Sequence, residues 1–361
     1  MGSLIFILIL SFLIIVHEFG HLFTAKRFGV KIEKFSIGFG KKLFSFKKKD
    51  TEYLVSTIPL GGYVKLAGDN LEEFSGQPHE YLSKPVSQRA MIVFSGPALN
   101  YILAFFFFWL VFFLGFPQLS TKVGELISGF GAERAGILVG DVIIRVDGEE
   151  VRTFEELQKM IHKKTDIVKL TILRENRQID LDIGIQKEEI RDLLGKRRLV
   201  GLIGIRPKDD ELVFLRYGFA ESFFLAAKTL FSLTFTIFKA IWAILTRSLS
   251  IRESVTGPLG IFYFTTRAVK FGMGAVLHLV AVLNLSLAIF NILPLPILDG
   301  GHLLLLGIEK IKKRRFSPRT EEIFNRTGLT LIIILAVFVF YNDLIKFGTL
   351  EKLLKFFKIY K

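Results

Sequence analysis

IFILILSFLIIVHEFGHLFTA, residues 5–25, is long and apolar enough to cross a bilayer, yet it carries His17, Glu18 and His21. A charged side chain at mid-span costs about 3 kcal/mol on insertion scales, so ionisable residues there mark function. Positions i and i+4 share one helix face. Two imidazoles so placed can grip one metal ion, with the intervening glutamate as general base toward water. The competing reading is a histidine pair satisfied by neighbouring helices.

The 361-residue chain is 51% hydrophobic with 38 phenylalanines, which excludes an ordinary soluble protein and predicts a polytopic membrane protein. The first stretch has no basic leader or small-residue cleavage site and is read as a retained helix. Cysteine is absent, which excludes disulfides, thiolate ligands and a thiol nucleophile. The net charge of +14 points to anionic lipid beside the spans and not to nucleic acid, since no nucleic-acid motif accompanies it.

Residues 91–116, 275–298 and 329–341 with their flanks complete a set of four expected transmembrane helices. Residues 26–90 hold twelve Lys and Arg, KIKKRRFSPR at 310–319 is basic, and residues 1–16 carry no charge. The N-terminus is therefore expected outside and the basic loops in the cytoplasm. Lys346, Lys352, Lys355, Lys358 and Lys361 pull the other way, and LLKFFKIYK at the end reads as a short interfacial helix.

The expected organisation is residues 1–120 with the first two spans and a membrane-associated β-hairpin loop, an inserted α+β domain at 121–207, interfacial amphipathic helices at 208–272, and the last two spans with the tail at 273–361. Within the inserted domain, strands alternate with a Gly-Ala-rich turn and the helix TFEELQKMIHKK, and Asp147-Gly148 reads as a tight hairpin turn. Residues 212–246 are apolar, but Glu221, Lys228 and Lys239 fall on one stripe, so a helix at the interface is expected there.

A catalytic zinc needs a third protein ligand. In FNILPLPILDGGH, residues 290–302, Asp299 closes an apolar run broken by Pro294 and Pro296. Broken backbone at membrane depth implies a protein-lined cavity. Asp299 is the leading candidate, with an ordinary turn or cap as the alternative. His302 is an alternate ligand or a supporting residue, and Asn291 is a contact for substrate backbone or for another helix. His79, His162 and His278 read as surface or packing histidines.

HEFGH in the first span, LPLPILDGG in the third, PLGGYVKLAGD at 59–69, FSGPALN at 94–100 and a domain inserted between spans two and three together resemble the site-2 proteases. The bacterial branch that acts on anti-sigma factors is the nearest likeness. The resemblance implies a zinc intramembrane endopeptidase of the bacterial inner membrane with His17, His21 and Asp299 as ligands and Glu18 activating water. Its substrate would be a single membrane span already trimmed by another protease. The inserted domain resembles one permuted PDZ domain with Gly201, Leu202, Ile203 and Gly204 in its carboxylate loop, placed outside either to grip a new carboxyl terminus or to exclude bulky ectodomains. Gly61, Gly62 and Tyr63 in TEYLVSTIPLGGYVKLAG would offer a strand edge to unwound substrate, near Asn291 and Pro294. The rival readings are an inactive PDZ scaffold and a metal transporter. A transporter should repeat ionisable residues along several helices, and here they cluster at one level.

Overall fold

The computed structural model describes residues 2–191 and 197–347, in two compact units. One runs from the start to Leu110, takes in Phe224–Thr234 and resumes at Arg252; the other holds Val111–Phe223 and Phe235–Ile251.

Helix α1 (Gly2–Arg27) forms from unbroken Leu, Ile and Phe, and buries Ile9, Leu13, His17 and Gly20 along one face. Lys26 and Arg27 in its last turn complement the helix dipole. Gly29, at φ +66°, stops it: the Val30 amide donates to the Ala25 carbonyl at 2.9 Å and the Gly29 amide to the Lys26 carbonyl at 3.0 Å.

Strands β1 (Ile32–Lys48) and β2 (Thr51–Leu66) follow, joined by a two-residue turn at Lys49 and Asp50. The pair is not a plain hairpin. Positions 34–37 of β1 pair on one side with 52–55 and on the other with 62–65, while 42–48 pair with 51–56. Bends at Gly38, Gly40 (both φ +90°) and Gly61 (φ +146°) fold the two strands into four segments, of which 34–37 and 52–55 run parallel and the other pairs antiparallel. Glycine is needed there because side chains resist that backbone. The expected hairpin is thus present but folded back on itself, and Gly61-Gly62 opens its edge segment instead of forming its turn. Among the described residues, no strand pairs with the outer edge of 62–66.

Helix α2 (Val86–Leu114) crosses α1 closely at glycine: a Cβ on Gly20 would lie 2.9 Å from Gly96 Cα. Its start is anchored by Arg89, only 4% exposed, which makes a two-pronged ion pair with Glu309 at 2.6 and 3.0 Å.

The inserted unit begins with β3 (Phe116–Leu119), which pairs with the last strand of that unit, β12 (Leu212–Leu215). Between them lie β4 (Val123–Leu126), the short α3 (Gly131–Arg134), β5 (Val142–Val146), β6 (Glu149–Glu150), α4 (Phe154–Ile161), β7 (Ile167–Arg174), β8 (Arg177–Gly184), β9 (Gln186–Arg191), β10 (Arg197–Leu202) and β11 (Ile205–Pro207). Four form an antiparallel sheet in the order β6-β5-β7-β8; β4 pairs with β11 and β9 with β10. The Asp147-Gly148 hairpin occurs as read from sequence, both residues at positive φ. Ile143, Leu157, Leu170, Ile172 and Ile183 are fully buried against one another, each worth about 1.5–3 kcal/mol of apolar burial. Thr153 and Glu156 cap α4 reciprocally.

Helix α5 (Phe219–Leu245) is one continuous 27-residue element, followed by α6 (Ile251–Ser254), α7 (Pro258–Lys270) and α8 (Met273–Ile292). Asp343, fully buried in α10 (Pro318–Lys346), caps α7 from outside by accepting the Gly257 and Gly260 amides at 3.0 Å each. Helix α8 ends where Pro294 and Pro296 remove two backbone donors, and Asp299 opens a new helix, α9 (Asp299–Lys312). Gly2 and Phe6 at the start of α1 lie against Thr266 and Phe262 of α7, which leads into α8. The far end of α8 delivers Asp299 beside His17, so α1 and α8 run parallel.

Five described helices are long and apolar enough to cross a membrane: α1, α2, α5, α8 and α10. The sequence reading counts four of them as spans and assigns α5 to the interface. The C-terminal LLKFFKIYK, read as an interfacial helix, lies outside the described residues.

Candidate metal centre

The i, i+4 spacing on α1 aims both imidazoles to one side, with ring centroids 4.8 Å apart. The proline break after α8 turns the chain so that Asp299, far along the sequence, meets them. His17 Nε2 and His21 Nε2 are 3.2 Å apart, and Asp299 Oδ2 lies 3.0 Å from the first and 3.5 Å from the second. The three side chains are 10%, 14% and 17% exposed, which puts the triangle out of bulk water.

The donor chemistry fits a cation. His21 Nδ1 donates to the Ile92 carbonyl at 2.9 Å, which leaves Nε2 with a lone pair in the neutral ring. Asp299 Oδ2 is buried with no hydrogen-bond donor directed at it. Two acceptors facing each other at 3.5 Å repel unless a positive charge sits between them. Ligand atoms held at about 2.0–2.1 Å in a tetrahedral zinc shell lie about 3.3–3.4 Å apart, which the observed 3.0–3.5 Å triangle brackets. His17, His21 and Asp299 are also the one His, Asp and Glu group with metal-site spacing among the described residues.

These residues line a cavity of about 1020 Å³. Glu18 is half-buried on its wall and faces Gly62, whose Cβ position would be 3.5 Å from Glu18 Cγ. Gly61, Gly62 and Tyr63 of the sheet edge line the same space, as do Asn291 and His302. Pro294 does not; it is exposed, and its part is to break the helix. Asp69 and Tyr81, from the loop before α2, also face the cavity, and burial raises the pKa of each.

In the inserted unit, Leu202, Ile203 and Gly204 line a narrow groove of about 70 Å³ with Phe154, Leu157 and Ile161 of α4; Gly201 lies outside it. Gly204, at φ +82°, turns the chain while its carbonyl accepts the Ile127 amide at 2.8 Å. His162 lines the same groove, His79 is exposed, and His278 packs edge-on against Phe108.

The supporting side of the centre is what sequence reading missed. Ile92, Gly96 and Asn100 form one row on α2. Ile92 offers its carbonyl to His21, Gly96 leaves room for both rings, and the fully buried Asn100 amide lies 3.4 Å from His17 Nδ1. A Cβ on Gly96 would sit 2.9 Å from His17 Cε1 and nearer still to His21. The available signal was an amide within an apolar span, one turn beyond a glycine.

The family model of peptidase family M50 matches residues 5–335. Metalloprotease MmpA of Caulobacter vibrioides is 31% identical, covering 97% of this chain and 96% of that protein. Zinc metalloprotease RasP of Oceanobacillus iheyensis is 27% identical over 94% and 97% of the two chains, and the regulator of sigma-E protease RseP of Escherichia coli is 28% identical over the same shares. Among solved structures, the PDZ domain of an SdrC-like protein from Listeria monocytogenes matches 26% of this chain and 90% of that one, at 24% identity and a TM-score of 0.20.

Proposed function

The chain belongs to peptidase family M50, the zinc-dependent site-2 protease family, and we propose that His17, His21 and Asp299 hold its zinc while Glu18 is the general base. The protein is a metalloendopeptidase acting in the membrane. The observation that carries the ligand assignment is the triangle of two imidazole nitrogens and one carboxylate oxygen, 3.0–3.5 Å on a side, built from opposite ends of the sequence.

When bound, zinc supplies Lewis acidity that favours loss of a proton from water and polarises the scissile carbonyl. Glu18 accepts that proton as the water oxygen attacks the carbonyl carbon. It then hands the proton to the departing amide nitrogen as the C–N bond breaks. A helical substrate cannot present its amide until it unwinds. The outer edge of 62–66, beside Glu18 in the cavity wall, offers unpaired backbone to which an extended segment can add. Asn291, on the same wall, is positioned to hydrogen-bond the substrate backbone. The substrate class is a single-span protein trimmed by an earlier cut, such as an anti-sigma factor. The groove beside Leu202–Gly204 in the PDZ-like unit would receive the new carboxyl terminus.

For topology we propose four crossings, α1, α2, α8 and α10, with α5 along the interface. The parallel run of α1 and α8 supports this, because it requires an even number of crossings from the start of one to the start of the other. The N-terminus and the PDZ-like unit then lie outside and the metal centre toward the cytoplasm, in keeping with the basic loops.

Glu18→Gln tests the mechanism. Purified protein should keep its zinc yet lose cleavage of a trimmed single-span reporter; undiminished cleavage refutes the assignment.

A further inference from the structure

We infer that Asn100 is a positioning residue for the metal centre, its side-chain oxygen accepting the Nδ1 proton of His17 so that Nε2 presents its lone pair to zinc. The inference rests on the proposed ligand set and goes beyond it to the group that fixes one ligand.

A neutral imidazole carries one N–H, and a ring that ligates through Nε2 must carry it on Nδ1. That proton needs an acceptor in a place without water. His21 has one, the Ile92 carbonyl at 2.9 Å. For His17 the group opposite Nδ1 is the Asn100 amide at 3.4 Å, from a residue with no solvent exposure. With the amide nitrogen on that side, Asn100 would donate to Nδ1, forcing the imidazole proton onto Nε2, where it would point at Asp299 and occupy the metal's place. A half-turn about the Cβ–Cγ bond puts Oδ1 opposite Nδ1 without moving any other atom. One row of α2 then serves both rings, by a main-chain carbonyl for His21 and a side-chain carbonyl for His17, with Gly96 between them as the gap that lets the helix approach. Outer partners of this kind set ring orientation and ligand basicity.

The test compares full-length wild type, Asn100→Leu and Asn100→Asp. Zinc affinity is read by competition with a chromogenic chelator, and the unfolding temperature is read on the zinc-free proteins. Leucine keeps the volume and removes the acceptor; aspartate keeps an acceptor. Asn100→Leu should bind zinc about 10–100-fold more weakly, while Asn100→Asp should match or exceed wild type. Rescue by aspartate separates the acceptor from a packing role, because a merely structural asparagine would be damaged by both changes. Wild-type affinity in Asn100→Leu, or equal losses in the two variants, overturns the inference. A wild-type protein that takes up no zinc would defeat the ligand assignment itself, which is a different failure.

Discussion

Replacing Gly96 by alanine adds one methyl group where α2 passes the two imidazoles. The new Cβ would lie 2.9 Å from His17 Cε1 and nearer still to the His21 ring, against an ordinary carbon contact of about 3.5–4.0 Å. Relief therefore needs a ring or helix displacement of about 1 Å. Metal sites tolerate only about 0.2 Å in ligand distance, so the displaced rings cannot both keep their places. A misplacement of 1 Å in catalytic geometry costs about 100-fold in rate, and we expect Gly96→Ala to lose at least that in cleavage, with weaker zinc retention under a chelator. Backbone propensity acts in the opposite direction, since alanine favours a helix over glycine by about 1 kcal/mol. A loss of function through a less stable helix is thereby excluded in advance. The assay pairs zinc competition with cleavage of a trimmed single-span peptide in detergent or nanodiscs. Wild-type values in both would refute the reasoning that α2 sets the imidazoles by close approach.

Asp343→Ala should release the start of α7, because it leaves the Gly257 and Gly260 amides buried without an acceptor, a cost of about 1–3 kcal/mol for each. Faster hydrogen exchange at residues 257–261 would show it, and unchanged exchange would count against the cap. In the inserted unit, burial pushes the Asp141 carboxyl up, but Arg174, at 2.7 and 2.8 Å, and the Leu138 amide hold it below its ordinary value. A carboxylate depressed in the folded state stabilises above its unfolded pKa, and that stability is lost as the pH falls through the folded value. Asp141→Asn should remove this acid dependence and cost about 1.5–3 kcal/mol near neutrality, read as exchange protection of β5 and β7 between pH 7 and pH 3. A variant with the wild-type pH profile would show that the pair does not govern the transition.

Much of the architecture is legible in the sequence because membrane spans and metal motifs are written locally. His17 and His21 are one turn apart, and the proline pair that ends α8 stands next to Asp299 in the chain. The strands of the inserted unit follow from short β-branched runs, and the Asp147-Gly148 turn from two residues alone. The folded-back sheet is different, since its pairing is set by glycines at 38, 40 and 61 whose positive φ shows only in three dimensions. Helix α5 is ambiguous in composition: its polar residues share a stripe, yet its length and apolarity suffice for a crossing. Asn100, Arg89 with Glu309, and Asp343 act across long sequence separations, and no local pattern announces such partners. Pro294 ends α8 and does not line the cavity, so its place near substrate is not something the break in the helix announces.

Zinc stoichiometry under chelator challenge, measured on purified wild type and Asp299→Ala, bears most directly on the central claim. One tightly held zinc per chain in wild type and its loss from the variant is the expected result. Retention of zinc by Asp299→Ala at wild-type affinity would contradict a centre shared between the first span and the broken helix near the other end of the chain.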